Sequence, residues 1–258
     1  MVNLIRSTAM WGYPGLVREL GADPAVFLDR FGIPSGTELE VDTFIPFASL
    51  VRILEATAEE LTCPDFGLRL SGRQGLHIIG PMAVIVRSAS TVLSGIEAVE
   101  RFLYIHSPAL TLAAHPRGDG GVEFTYEIVE LGVPYIQGYE LSMGIAAQIV
   151  RMLGGPSARL DAVTFPHPQQ GTDSAYRDAL GCPVYFERPR AGFELSAELA
   201  ARGNENADPQ THRIATEYLE ATYLPATATL SDRVAELARL LLPTGQCTVE
   251  AIAGALAM

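Results

Sequence analysis

The sequence predicts an α+β fold, with a helical N-terminal segment followed by a small antiparallel sheet covered by helices and then more helix. Three observations carry this. Residues 1 to 75 place apolar side chains at three- and four-residue spacing. Val122, Phe124, Tyr126 and Ile128 then alternate with Glu123, Thr125 and Glu127, the signature of a strand with one dry and one wet face. Helical spacing returns from Tyr139 to Leu153 and again beyond Pro209.

Taken in order, Pro14 to Leu20 reads as a short amphipathic helix. Asp23-Pro24 supplies an N-cap and a first-turn proline for a second helix over Ala25 to Phe31, which Gly32-Ile33-Pro34 ends. Pro46 opens a longer helix to about Leu61, with Phe47, Leu50, Val51 and Leu54 on one stripe, and Asp65 to Leu70 is a further short helix. Gly75 to Val86 is an apolar element broken near Pro81, too short for the roughly 20 residues of a membrane span. Ser90 to Ile105 is a strong helix. Ala109 to His115 and Gly121 to Val129 form a hairpin about the turn Pro116 to Gly121. After the Tyr139 to Leu153 helix, Gly154-Gly155-Pro156 stops the chain. Short strands follow at Ala162 to His167, Val184 to Glu187 and Gly192 to Leu195, with helix Thr172 to Leu180 between the first two, making a sheet of four or five strands. The polar stretch Ala200 to Pro209 is the best linker candidate, leading to a helix over Pro209 to Tyr223. The expected domains are 1–199, a helical linker 200–228, and a third unit 229–258.

Composition narrows the function classes. The chain has 258 residues, 48% of them hydrophobic, enough for a substantial core. The N-terminus shows no signal-peptide pattern, so the expected location is the cytoplasm, with no membrane partner. Cys63, Cys182 and Cys247 are too scattered for a disulfide framework or a metal site. The formal net charge is −12, which opposes the counterion displacement that DNA binding relies on, so any DNA contact is expected from residues past Met258.

No catalytic motif is present. There is no G-x-S-x-G, P-loop, C-x-x-C or H-E-x-x-H, and Gly118 to Gly121 reads as a hairpin turn rather than a phosphate cradle. The reading is therefore not an enzyme, with no cofactor and no metal. A small hydrolase without a recognisable motif remains an alternative. His106, at the end of an apolar helix beside Tyr104, keeps open a haem or gas sensor, against the plainer reading of a helix-end histidine. Polar-tipped aromatics are better pocket material, because they join a large apolar body to a hydrogen-bonding tip. The candidate ligand-binding set is Trp11, Tyr13, Phe102, Tyr104, His106, Phe124, Tyr126, Tyr139 and Met143, many of which would serve equally well as core.

The end of the chain is the most informative part. Ser231 to Leu242 has Val234, Leu237, Ala238 and Leu241 at helical spacing. A loop with Gly245 follows, and Thr248 caps a last helix in which Ile252 and Leu256 face inward and Ala253 is small where a second helix would cross. Such a helix opens a helix-turn-helix. The segment resembles the start of the AraC/XylS DNA-binding domain, and the sequence stops where the turn and recognition helix would begin. The expectation is a chain truncated within that domain.

The upstream region resembles the N-terminal ligand-binding domain of the arginine/ornithine-responsive branch of that family. The resemblance is carried by Phe165-x-His167-Pro168, Asp173, Tyr176, Gly181-Cys182-Pro183-Val184-x-Phe186 and Gly192-Phe193-Glu194-Leu195. Further stretches, including Cys63 to Leu70, Tyr104 to Leu112 and Gln137 to Met143, extend it over nearly the whole chain. It implies a cytoplasmic transcription regulator, commonly a homodimer, that senses a small lipophilic effector, acts on promoter DNA and controls an operon for lipid or cell-envelope metabolism.

Overall fold

The computed structural model describes residues 3–40, 43–129 and 135–223, with single positions between 231 and 253. The chain opens with strand β1 (Leu4–Arg6) and a 3-10 turn, Ser7–Met10. Helices α1 (Tyr13–Glu19) and α2 (Pro24–Arg30) follow. The cap read at Asp23 is present, its side chain accepting from Ala25 N at 3.0 Å. Strand β2 (Phe44–Pro46) pairs antiparallel with β1, Ile5 opposite Ile45. Neither strand was expected, because three residues are too few for alternation to register. Helix α3 (Phe47–Glu60) buries the predicted stripe of Phe47, Leu50, Val51 and Leu54. Then come α4 (Phe66–Ser71), a 3-10 turn at Leu76–Ile79, and α5 (Met82–Ser88), the break falling at Gly80-Pro81 as read.

Helix α6 (Val92–Phe102) begins at a reciprocal cap, Thr91 Oγ1 accepting from Ser94 N and Ser94 Oγ from Thr91 N. It tightens into a 3-10 turn over Leu103–Ile105. Strands β3 (Leu110–Pro116) and β4 (Val122–Ile128) form the expected hairpin, with Leu112 opposite Tyr126. The glycine cluster is its turn: Gly121 N donates to Asp119 Oδ1 at 3.0 Å, and Gly120 takes a φ of 84°.

Helix α7 (Ile136–Gly154) starts three residues before the predicted Tyr139. Its first turn has no cap of its own. Glu55 of α3 supplies one, accepting from Gln137 N at 2.7 Å, and a cap from another helix leaves no local signature.

Strand β5 (Ala162–Thr164), helix α8 (Asp173–Leu180), strands β6 (Val184–Tyr185) and β7 (Ala191–Leu195), and helix α9 (Ala197–Ala201) complete the domain. The sheet has five strands in the order β3-β4-β7-β5-β6. It is mixed rather than purely antiparallel, since β6 runs parallel to β5. Helix α8 is the crossover that returns the chain for a parallel pairing.

The polar stretch near 200–209 is tied down. Val92 N donates to Arg202 O at 3.0 Å, the Asn204 side chain to Arg87 O and Ala89 O at 2.8 Å each, and Asp208 N to Ser88 O at 3.1 Å. Helix α10 (Pro209–Thr222) then packs along α5. Beyond it, residues 231, 234, 238, 241, 249, 252 and 253 are helical. Leu241 is buried against Leu4 and Phe44, with Cys247 and Ile252 on the same cluster. The predicted Gly245 loop and Leu256 lie outside the described residues. Among the described residues no helix is long and apolar enough to cross a membrane.

Candidate functional site

Between the inner face of the sheet and helices α3, α6 and α7 lies a cavity of about 110 Å³. Helix α3 contributes Leu50, Val51 and Leu54, and α7 contributes Leu141, Ile145 and Ile149. The sheet adds Leu112, Tyr126 and Phe193, and Ile5 and Ala9 close one end. The lining is aliphatic almost throughout. Only Gln74, His106, Tyr126 and Ser142 bring side-chain nitrogen or oxygen, and none of the lining residues is Asp, Glu, Lys or Arg. A second hollow, of about 520 Å³, is an open surface groove beside α4, α7 and α8, lined by Asp65, Arg69, Arg151 and Asp178 among others. The apolar cavity is the better ligand site, since pockets gain affinity by taking apolar surface out of water.

Two of the four polar groups satisfy each other. Tyr126 Oη and Ser142 Oγ are 2.9 Å apart, and Ser142 Oγ also lies 2.9 Å from Gly138 O. The Gln74 side chain and the His106 main chain are tied to the segment that carries Ile5 and Ala9. Gln74 Nε2 donates to Ala9 O at 2.8 Å and to Trp11 O at 3.0 Å, which fixes the amide. His106 follows the 3-10 turn, its carbonyl accepting from Arg6 N at 3.0 Å. Burial first, and the Arg6 charge second, push the imidazole down to about 3, so it is neutral at any ordinary pH.

Of the sequence-predicted site residues, Tyr126, His106 and Met143 stand on this wall. The others do not. Trp11 is partly exposed with its ring edge-on to His77, and Tyr104 is partly exposed at the surface. Tyr13 is fully buried between α1 and α3, its hydroxyl 2.7 Å from Thr57 Oγ1. Phe102 is buried away from the cavity, and Phe124 lies behind it, stacked on Phe193 at 5.0 Å. Tyr139 packs edge-on between Tyr126 and Tyr135. Sequence reasoning missed Gln74 and the aliphatic wall. A polar residue just after a helix, with no local capping role, was the available signal for Gln74.

A haem does not fit a space of this volume around His106, since cofactor-sized ligands occupy several hundred cubic ångströms. Among the described residues no three His, Cys, Asp or Glu side chains converge as metal ligands. Cys63 Sγ lies 3.5 Å from Asp65 Oδ1, yet burial pushes the thiol up to about 11, the wrong direction for a nucleophile.

Residues 21–204 match the family profile described as the arabinose-binding domain of AraC transcription regulator, N-terminal. The chain belongs to the AraC family of transcription regulators. It is 58% identical to the HTH-type transcriptional regulator VirS of Mycobacterium tuberculosis, in strains CDC 1551 / Oshkosh and ATCC 25618 / H37Rv alike, over 99% of this chain and 76% of that protein. Among solved structures, the transcriptional regulator CdpR from Pseudomonas aeruginosa superposes with a TM-score of 0.53, covering 93% of this chain and 74% of its own at 16% identity, a likeness of fold. The regulator therefore carries an N-terminal effector-binding domain, and its relatives are transcription regulators rather than enzymes.

Proposed function

We propose that this domain senses a small, uncharged, lipophilic effector in the cavity between the sheet and α3, α6 and α7. The observation that carries the reading is the lining: aliphatic, without a charged side chain, and with two of its four polar groups already paired to each other. A pentose such as arabinose would bury several hydroxyls against hydrocarbon, and each unpaired one costs roughly 1–3 kcal/mol on protein scales. The family's descriptive sugar does not suit this wall.

The signal route follows from β1. Ile5 faces the cavity, Leu4 packs on Leu241, and Arg6 Nη2 donates to Tyr223 Oη at 3.1 Å, just past α10. An effector that displaces Ile5 thus acts on the strand that holds α10 and the C-terminal segment, and its preference for one arrangement shifts the population. A net charge of −12 disfavours phosphate contact by the chain as a whole, which supports a reading in which the effector domain itself is not what meets promoter DNA. Ile214 and Tyr218, exposed one turn apart on α10, support a homodimer. Kinship with the family supports a cytoplasmic regulator of lipid or cell-envelope genes.

Thermal-shift measurements test the ligand class. Uncharged apolar compounds raise the Tm and arabinose leaves it unchanged; a Tm raised by arabinose and by no apolar compound would overturn the reading.

A further inference from the structure

Resting on the effector-cavity reading above, we infer that the ligand carries a hydroxyl at one end, which donates to the side-chain oxygen of Gln74 within reach of the His106 imidazole. Gln74 and His106 are 4% and 6% exposed, and both line the cavity. Gln74 Oε1 and His106 Nδ1 have no hydrogen-bond partner among the described residues. Buried polar atoms are nearly always bonded, so two orphans on one apolar wall mark where a ligand's polar group belongs.

The chemistry of the two atoms selects that group. With Nε2 of Gln74 committed to two carbonyls, its oxygen is an acceptor and calls for a donor. The imidazole is neutral, so its Nδ1 either accepts a hydrogen bond or donates one, according to tautomer. A hydroxyl suits both, giving its proton to Gln74 and offering lone pairs to His106. A carboxylate does not: it brings no proton for Gln74 Oε1, and no lining side chain carries a positive charge for it. An ether of equal size fills the same space and leaves Gln74 Oε1 unbonded.

Both groups lie at one end. The Gln74 side chain is bonded to Ala9 O and the His106 carbonyl to Arg6 N, three residues apart where β1 passes into the turn that follows it. The ligand's hydroxyl therefore sits beneath the 6–9 turn, and its hydrocarbon runs between α3 and α7. The cavity is smaller than the roughly 150 Å³ that holds benzene in an engineered core, so a longer chain parts these helices as it enters.

Calorimetric titration of the full chain with octanol, its isomer heptyl methyl ether, and octanoate tests the inference. Octanol binds about tenfold more tightly than the ether, as one hydrogen bond predicts, and octanoate binds more weakly than either. In Gln74→Met the preference for octanol over the ether shrinks toward unity while ether affinity is kept. Equal affinity for octanol and the ether on the unaltered chain overturns the hydroxyl and leaves the apolar cavity standing, and tightest binding by octanoate overturns the uncharged ligand. Failure of all three to bind removes the cavity reading itself. The ligand series on the unaltered protein decides the matter even where Gln74→Met does not fold.

Discussion

The two faces of α7 make opposite use of buried polarity. Toward α4 and α8, Gln137, Glu140, Gly144 and Gln148 form a hydrogen-bonded seam of close backbone approach. Gln137 Oε1 accepts from Gly67 N at 2.7 Å, its Nε2 donates to Pro64 O at 3.0 Å, Tyr176 Oη donates to Glu140, and Gln148 donates to Ser71 O. The backbones touch, since a Cβ at Gly67 would run into the Gln137 carbonyl and one at Gly144 into the Ser71 side chain. One position around the helix, Gly138, Leu141, Ser142, Ile145 and Ile149 face the cavity, where side chains leave space. Helix α7 is thus anchored on one side and free to respond on the other. Under the proposed function, a ligand pressing on its open face meets a fixed far face, which directs displacement toward α3 and β1.

That contrast can be broken most sharply at Gly67. Replacing it with alanine drives a methyl into backbone that cannot rotate away, and the expected loss is about 3 kcal/mol, read as a lower denaturation midpoint. An unchanged midpoint would show that the seam has slack.

Glu140 is the next largest effect. Burial, opposed by the bond from Tyr176 and reinforced by Asp65 and Glu55, raises its carboxyl from 4.5 to about 8. A carboxyl held above its solution value favours the folded state while protonated. Its contribution is complete below about pH 4.5 and is lost as the pH climbs through 8. In Glu140→Gln that loss is absent, so the variant gains on the parent between pH 5 and 8 by on the order of 2 kcal/mol. Glu55, also raised by burial to about 7, keeps a smaller slope of the same sign in both proteins. Parallel stability–pH curves for variant and parent would count against a buried acid in the seam.

The smallest effect sharpens the other face. Gly138→Ala places a methyl 3.4 Å from Ile128 Cδ1, an ordinary contact. Removing a helical glycine should stabilise the protein by about 0.5 kcal/mol, so the same chemical change has opposite signs at Gly67 of α4, which abuts the seam side of α7, and at Gly138 on the cavity side of α7. A destabilisation matching that of Gly67→Ala would erase the distinction drawn between them.

Much of the fold was legible because its causes are local. Asp23-Pro24 starts α2, Thr91 starts α6, and the alternation from Val122 to Ile128 places one face of β4 inside. Failures came where the cause lay elsewhere in the chain. The start of α7 depends on Glu55, the direction of β6 on the α8 crossover, and the β1–β2 pair on contacts between three-residue segments. The site was less legible. Tyr13 has every attribute of a pocket residue, yet Thr57 takes up its hydroxyl; Leu50, Leu54 and Ile149 look like any core residue and line the cavity.

By itself the sequence determined the family, the helices with their own caps and the hairpin, because these rest on side-chain type at short range. Only the tertiary structure decided where that interior stays open and which polar atoms look into it. A void is a property of several surfaces meeting imperfectly, and no single segment encodes the gap between itself and the others.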